Sequence, residues 1–317
     1  MSIAEKLQTI AENEQRVYEA GEGSGLSTAE RVLSDDFTNY SYFCYKRTSC
    51  TTLPANLFLH TKNGTNFTYM FSDCTALKEV PLFDTSNGSS FTYMFSGCTA
   101  LKEVPLFDTS NGTNFDHMFS ACTALEEVPL FDMSKGTTAK NMFYNCPTLK
   151  EIPSFNTRKI SNFQSAFGMC KGLSKVPSLD LTYCTSLNST FQNCSALTEV
   201  GVLNSLSVSN FGYSFSGCTQ LHTVAGIDFS SCTSVNTVFD KCTALTNLVV
   251  NGKLRATATA FSKLSALTHD SLMSIINALV DYSASTGSYK ITLGSTNLAK
   301  QTDEEKLMIT NKGWTYA

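Results

Sequence analysis

Charge is scarce in this chain. Lys, Arg, Asp and Glu make up 16% of its 317 residues, and the formal net charge is −4. No basic stripe is present to neutralise phosphates, which excludes nucleic acid as the expected partner. Long apolar runs are also missing, and none approaches the ~18 residues of a membrane span. The opening MSIAEKLQTIAENEQRVYEAGEG has neither the continuous apolar stretch nor the small-residue cleavage site of a secretory signal. The chain is therefore expected to be cytoplasmic, or displayed on a particle or surface by another route. Only four histidines occur, His60, His117, His222 and His269, with no shared spacing, whereas a catalytic or metal-bound histidine needs a fixed partner. G-x-S-x-G, H-E-x-x-H and Walker patterns are absent too. The expectation is a protein that is not an enzyme and carries no cofactor.

What the chain does have is a beat. Cys50, Cys74, Cys98, Cys122, Cys146, Cys170, Cys194, Cys218 and Cys242 stand 24 residues apart. Phe71, Phe95, Phe119, Phe143, Phe167, Phe191, Phe215 and Phe239 each precede a cysteine by three residues, and a leucine follows each by three. Val80, Val104, Val128, Ile152, Val176, Val200, Val224 and Leu248 come three further on. A period in the twenties with apolar residues at fixed phases means a solenoid, in which each coil buries its apolar face against its neighbours. The L-x-x-V-x-L segment of LKEVPL predicts one strand per coil in a parallel sheet, and at roughly 4.8 Å per coil the body would be about 43 Å long. DTSNG supplies turn residues. Phe67, Met70 and Phe71 fall at helical spacing and predict a short helix or 3₁₀ turn on the opposite side.

Twelve cysteines would suit a disulfide scaffold. In a stack of coils, however, equivalent Cβ atoms run parallel at roughly 4.8 Å, wider than the ~3.8 Å of a disulfide. A straight ladder cannot converge on zinc. The expectation is reduced, buried thiols, which suits a reducing compartment at the time of folding. Cys44, Cys184 and Cys232 lie off the beat and carry no pairing signal.

The unit MFSGCTALKEVPLFDTSNGTNF resembles the BspA-like leucine-rich repeats of bacterial surface proteins, in the M-F-x-x-C-x-x-L subtype of gut and mycoplasma genomes, over residues 44–267. The resemblance implies an α/β repeat solenoid: a right-handed leucine-rich-repeat coil of about nine 24-residue repeats, a parallel β-sheet on one face, a helical N-terminal segment and an α/β C-terminal cap. It also implies binding, with no catalytic residues to carry over. Departures from the pattern are Arg47 in place of Phe, Leu264 in place of Cys and two residues early, and proline giving way to Gly201, Ala225 and Val249.

The domain reading is 1–43 as N-terminal segment, 44–267 as solenoid and 268–317 as cap. Ile3, Leu7, Ile10, Glu14 and Val17 form a heptad-like stripe over residues 3–17, either packed on the first coil or acting as a docking peg that would make a homo-oligomer. This opening also resembles prophage-encoded structural proteins of Firmicutes. In the tail, Leu272, Ile275, Ile276, Leu279 and Val280 predict an amphipathic helix capped by Thr268 or Asp270. A strand at YKITL follows, then a capping box, Thr302 with Glu305, and a stop at Gly313, with Trp314 packed inside. This tail also resembles those common on similar gut-bacterial repeat proteins.

Two ladders could carry function. Asp84, Asp108, Asp132, Asp180 and Asp228, with Asn156 and Asn204 between them, suit Asx turns, or calcium between coils. Lys78, Glu79, Lys102, Glu103, Glu126, Glu127, Lys150 and Glu151 point away from the core in the strand reading and share one surface. Strict alternation would add Phe83, Phe107, Phe131 and Phe155 as an aromatic stripe, whereas a strand that ends early turns them inward. Triplets at Asn63, Asn66, Asn87 and Asn111 would be glycosylation acceptors in a secreted eukaryotic chain and are turn chemistry in a bacterial one. The function expected is adhesion to a protein or glycan surface through the sheet face and turns. The alternative is a structural part of a prophage-type particle or surface assembly, docked through the N-terminal helix.

Overall fold

The computed structural model describes residues 38–53, 55–232, 234–255 and 258–317. The stripe over residues 3–17 lies outside them.

The segment FTYMFSDC is a run of turns rather than a helix. Met70, Ser72 and Cys74 donate their N–H groups three residues back, to Phe67, Tyr69 and Phe71, while Phe67, Tyr69, Phe71 and Asp73 donate to the next coil at Ser90, Thr92, Met94 and Ser96. Tyr69 and Asp73 have positive φ, 57° and 60°, as do their counterparts in later coils, among them Tyr93, Gly97, His117, Ala121, Asn141 and Asn145. Alternating local and inter-coil bonds satisfy every N–H from Met70 to Cys74 in this segment, so no continuous helical ladder is needed. Helical spacing of Phe67, Met70 and Phe71 reflects turns that send the same residues inward.

Packing then follows from the period. Phe71, Phe95, Phe119, Phe143, Phe167, Phe191, Phe215 and Phe239 form one stack, with successive centroids 5.2 to 5.5 Å apart and planes within 12° of parallel. Such offset stacks add aromatic attraction to plain burial. Beside them the eight cysteines from Cys74 to Cys242 are buried and unpaired, and each thiol donates to a carbonyl of the preceding coil, at 2.8 to 3.1 Å. Where methionine of the Met70 column gives way to Thr190 and Ser214, the hydroxyls make the same kind of bond, to the carbonyls of Phe163 and Leu187.

Two readings of the cysteines need correction. Cys50 keeps the 24-residue spacing without belonging to the ladder. The first coil is three residues longer: Tyr40 bonds Asn66 as Phe67 bonds Ser90, and Lys78 bonds Thr51. This places Cys44 in the Phe71 column, Arg47 in the cysteine column and Cys50 in the leucine column. The extra residues are taken up near the 3₁₀ turns Ala55–Phe58 and Thr61–Asn63, and Phe58 stacks 4.6 Å from Phe83. Cys184 and Cys232 are on a beat of their own. They fill the column of Gly64, Gly88, Gly112, Gly136, Ile160 and Val208, each residue donating its N–H three residues back. In the early coils this column is crowded, and a Cβ on Gly112 would meet the Phe115 ring at 2.5 Å.

Strands form where proline lets them. The parallel sheet comprises β1 (Lys175–Val176), β2 (Leu179–Asp180), β3 (Glu199–Asn204), β4 (Thr223–Asp228) and β5 (Asn247–Asn251). Its register is one period, with Lys175 opposite Glu199 and Val200 opposite Val224. Pro177 separates β1 from β2, and the coils holding Pro81, Pro105, Pro129 and Pro153 have no strand in this segment. Proline has no N–H for the ladder. In these coils the chain turns at proline instead, with Phe107, Phe131 and Phe155 donating two residues back to Pro105, Pro129 and Pro153, each at 2.9 Å. The expected strand in every coil is thus confined to the C-terminal half, where Gly201, Ala225 and Val249 restore the donor.

Beyond the last coil, α1 (His269–Ala278) starts at Thr268, whose side chain accepts from the Ser271 N–H. It lies against the open edge of β5, where Leu248 and Val250 donate their N–H groups to the hydroxyls of Ser271 and Ser274 at 2.9 and 2.8 Å. An unpaired strand edge invites further pairing, and here serine oxygens occupy it. β6 (Tyr289–Ile291) pairs in parallel with β7 (Trp314–Tyr316). Between them lie α2 (Ser295–Leu298) and α3 (Asp303–Asn311), the latter opened by the Thr302 and Glu305 capping box. Trp314 is buried and donates from Nε1 to the Val280 carbonyl at 2.8 Å.

Candidate binding face

Each coil enters the sheet face after its inward leucine, so the next two residues face solvent before Val80 or its equivalent turns in. Lys78, Glu79, Lys102, Glu103, Glu126, Glu127, Lys150 and Glu151 are brought together in this way, and with Ala100 they line one open groove of about 780 Å³. Glu126 lies 3.3 Å from both Lys102 and Lys150. Hydrogen bonds from these two lysines hold its carboxyl below the ordinary range. A smaller groove continues past Glu151 to Lys175 and Glu199, which pair at 3.2 Å. Further along, the Lys78 column holds Ser174, Thr198, His222 and Thr246, so charge fills both columns only in the coils of residues 78–151.

Phe83, Phe107, Phe131 and Phe155 are not on this face. All four are buried, at 1 to 7% exposure. Of the two readings the inward one holds, because the inward positions Val80 and Phe83 are three apart rather than two, leaving a pair of outward residues between them. β5 shows the contrast: its register to β4 shifts between Val224 and Ile227, and with one residue fewer Asn247–Asn251 alternates strictly. The residue turned outward in the early coils is leucine, at Leu82, Leu106 and Leu130. Sequence reading misses this row because strict alternation assigns it to the core.

The aspartates make Asx turns. Asp84, Asp108, Asp132, Asp180 and Asp228 accept from the N–H two residues on, at 2.7 to 3.1 Å. Hydroxyls of Ser110, Ser134 and Thr182 lower the carboxyls of Asp108, Asp132 and Asp180. Among the described residues no cluster of three or more His, Cys, Asp or Glu is placed to hold a metal.

A second surface feature was not singled out in the sequence. Tyr42, Tyr69, Tyr93 and His117 stack face to face at 4.9, 4.5 and 4.2 Å. Their signal is a column of aromatic residues, 24 apart from Tyr69 onward. Asn141 ends the stack, 3.0 Å from His117 Nε2. Burial lowers the His117 pKa, and burial together with Tyr93 raises that of Tyr69. Neighbouring rings cover one another's faces, so this ladder offers edges rather than a flat platform. Among the described residues no helix is long and apolar enough to cross a membrane.

Comparison with known proteins agrees with the repeat. Residues 65–178 match the family described as Mycoplasma protein of unknown function, DUF285. Residues 136–268 and 178–292 match the BspA type leucine rich repeat region. No curated protein matches the chain. Among solved structures, it is similar to a leucine-rich repeat protein from Bacteroides ovatus, at 23% identity and a TM-score of 0.45, over 84% of this chain and 65% of that one. This chain therefore spans less than two thirds of that protein. A leucine rich cell surface protein from Faecalibacterium prausnitzii is 18% identical over 59% of this chain and 76% of its own length, with a TM-score of 0.20. A Leptospira interrogans leucine-rich-repeat protein is 11% identical over 92% of this chain and 98% of its own length, with a TM-score of 0.18. Parallel strands in a register of one period and the matched repeat region lead to one assignment: the chain belongs to the BspA-like leucine-rich repeat family.

Proposed function

We propose that this chain is a binding module that holds a partner surface, protein or glycan, against the sheet face of residues 78–151, and that it works at the bacterial surface or on a displayed particle. Leucine-rich repeat proteins are generally protein-binding modules, and no enzyme family is indicated. The observation that carries the reading is the groove: eight charged side chains from four successive coils face one open space. A face built only to close a core does not require charge packed this densely, and rims rich in charge set specificity and encounter rate more than stability.

The test is binding of labelled full chain to intact bacteria, mucin and extracellular-matrix surfaces, beside a variant carrying Lys102→Ser and Glu127→Ser. Selective binding lost in the variant supports the face as the contact. Equal binding by both proteins removes it. Binding that survives these changes but disappears when residues 1–37 are deleted would move the function to the N-terminal segment, as expected for a docked structural part.

A further inference from the structure

Leu82, Leu106 and Leu130 are 65, 61 and 58% exposed. They recur one per coil, three residues along the chain from Glu79, Glu103 and Glu127. One exposed leucine is ordinary, but a row at coil spacing is a continuous apolar strip that no other described residue covers. In the next coil Ser154 takes the leucine place. The strip thus runs along the first three of the four charged coils.

The charge beside the strip has an excess of one sign, with five glutamates against Lys78, Lys102 and Lys150. Lys102, Glu126 and Lys150 satisfy one another. Glu79, Glu103, Glu127 and Glu151 enter no ion pair among the described residues. Four carboxylates stacked at roughly 4.8 Å repel one another, and cationic groups docked over them relieve that repulsion.

We infer that the occupant of this face is a basic, amphipathic polypeptide segment, with Lys or Arg over the glutamate row and apolar side chains on the leucine row. The inference rests on the sheet face being the contact, as proposed above. Spacing favours a helix as the docked form. One helical turn advances ~5.4 Å and an extended chain ~6.8 Å per two residues, against a coil spacing of roughly 4.8 Å. Over four coils the helix falls out of step by only about 2 Å, within reach of flexible side chains.

The test is fluorescence anisotropy of a labelled helical peptide of Lys, Leu and Ala, with Lys and Leu on adjacent faces, titrated with the full chain at low and high salt. A scrambled peptide and a charge-reversed peptide with Glu for Lys serve as comparisons. The native chain is expected to bind the ordered peptide about tenfold more tightly than either Glu103→Gln/Glu127→Gln or Leu106→Ser/Leu130→Ser does. Salt is expected to weaken the native complex. The cap variant Asp270→Asn/Glu304→Gln, with the same change in net charge, should match the native chain. Equal binding of the scrambled or charge-reversed peptide, or equal weakening by the cap variant, overturns the inference. The groove variants in the surface-binding assay separate the two claims. If they lose surface binding while the peptide fails, the sheet face stands and the partner chemistry falls. If they keep surface binding, the face itself is removed.

Discussion

A cysteine at the inward turn meets three demands at once: small volume, no charge, and one donor aimed at the preceding coil. The Phe119 carbonyl, for example, accepts from the Cys122 N–H of its own coil and from the Cys146 thiol of the next. Removing the sulfur in Cys146→Ala loses that donor and leaves a small void, with an expected cost of about 1–2 kcal/mol in urea unfolding. Cys146→Ser should lose less, since Ser214 already makes such a bond in the neighbouring column. Serine no better than alanine would show that volume alone matters. The thiols must also stay protonated to donate. Burial raises them, Cys74 to about 11 and Cys170 and Cys242 to about 12, from an ordinary 9.0. A folded pKa above the unfolded one means a contribution fully present below about pH 9 and lost as pH rises through the folded values. Each such thiol can steepen the fall by up to ~1.4 kcal/mol per pH unit. The melting temperature is therefore expected to drop progressively between about pH 9 and pH 12, and a flat profile across that window would refute the buried, protonated ladder.

At the scale of the element, proline decides where the sheet exists. Replacing Pro81, Pro105, Pro129 and Pro153 together by valine returns one N–H per coil. The expected outcome is protection of the new valine amides from hydrogen exchange and a larger β-sheet signal in circular dichroism; valine amides that exchange as fast as an unstructured chain would show that the turn at residue 105, rather than the missing donor, excludes the strand. How much of this was legible follows from what writes itself into a period. The repeat and its parallel strands were readable because stacked columns of Phe, Leu and Val must recur at coil spacing to touch. The Asx turns were readable because Asp with Ser two residues on is a local device. The direction of Phe83 was left between two readings, inward and outward, since the single additional residue between inward positions is visible only beside β5, which lacks it. The turns of FTYMFSDC were not readable, because positive φ falls on Tyr69, Asp73 and His117 rather than on a telltale run of glycine. Cys50 misled by keeping the spacing of a ladder it does not join.

The molecule as a whole grades from charged, proline-turned coils to strand-paired coils closed by α1. This gradient puts the longest ladder, and so the most adhesive edge, at the C-terminal end. Leu248 and Val250 of β5 aim their N–H groups at Ser271 and Ser274, Leu254 donates to the Ala278 carbonyl, and Lys300 ties down the carbonyls of Ser265 and Leu267. Leu272, Ile275 and Ile276 of α1 are buried in the same closure. A chain ending at residue 267 would lose all of these partners together, exposing both a parallel strand edge and the apolar end of the Phe stack. Open solenoid ends associate, and unpaired edges template further strands. The truncated protein is expected to form higher-order species whose light scattering grows with concentration, while the full chain under the same conditions does not. A truncated protein that stays monomeric, with an unchanged melting temperature, would mean that α1 and the segment after it are appended to the solenoid rather than closing it. Ser271→Ala/Ser274→Ala in the full chain isolates the edge from the apolar surface: it removes the two hydroxyls that accept from Leu248 and Val250 and donate to the carbonyls of Thr246 and Val250, so an increase in scattering from this variant alone would assign the association to the edge of β5.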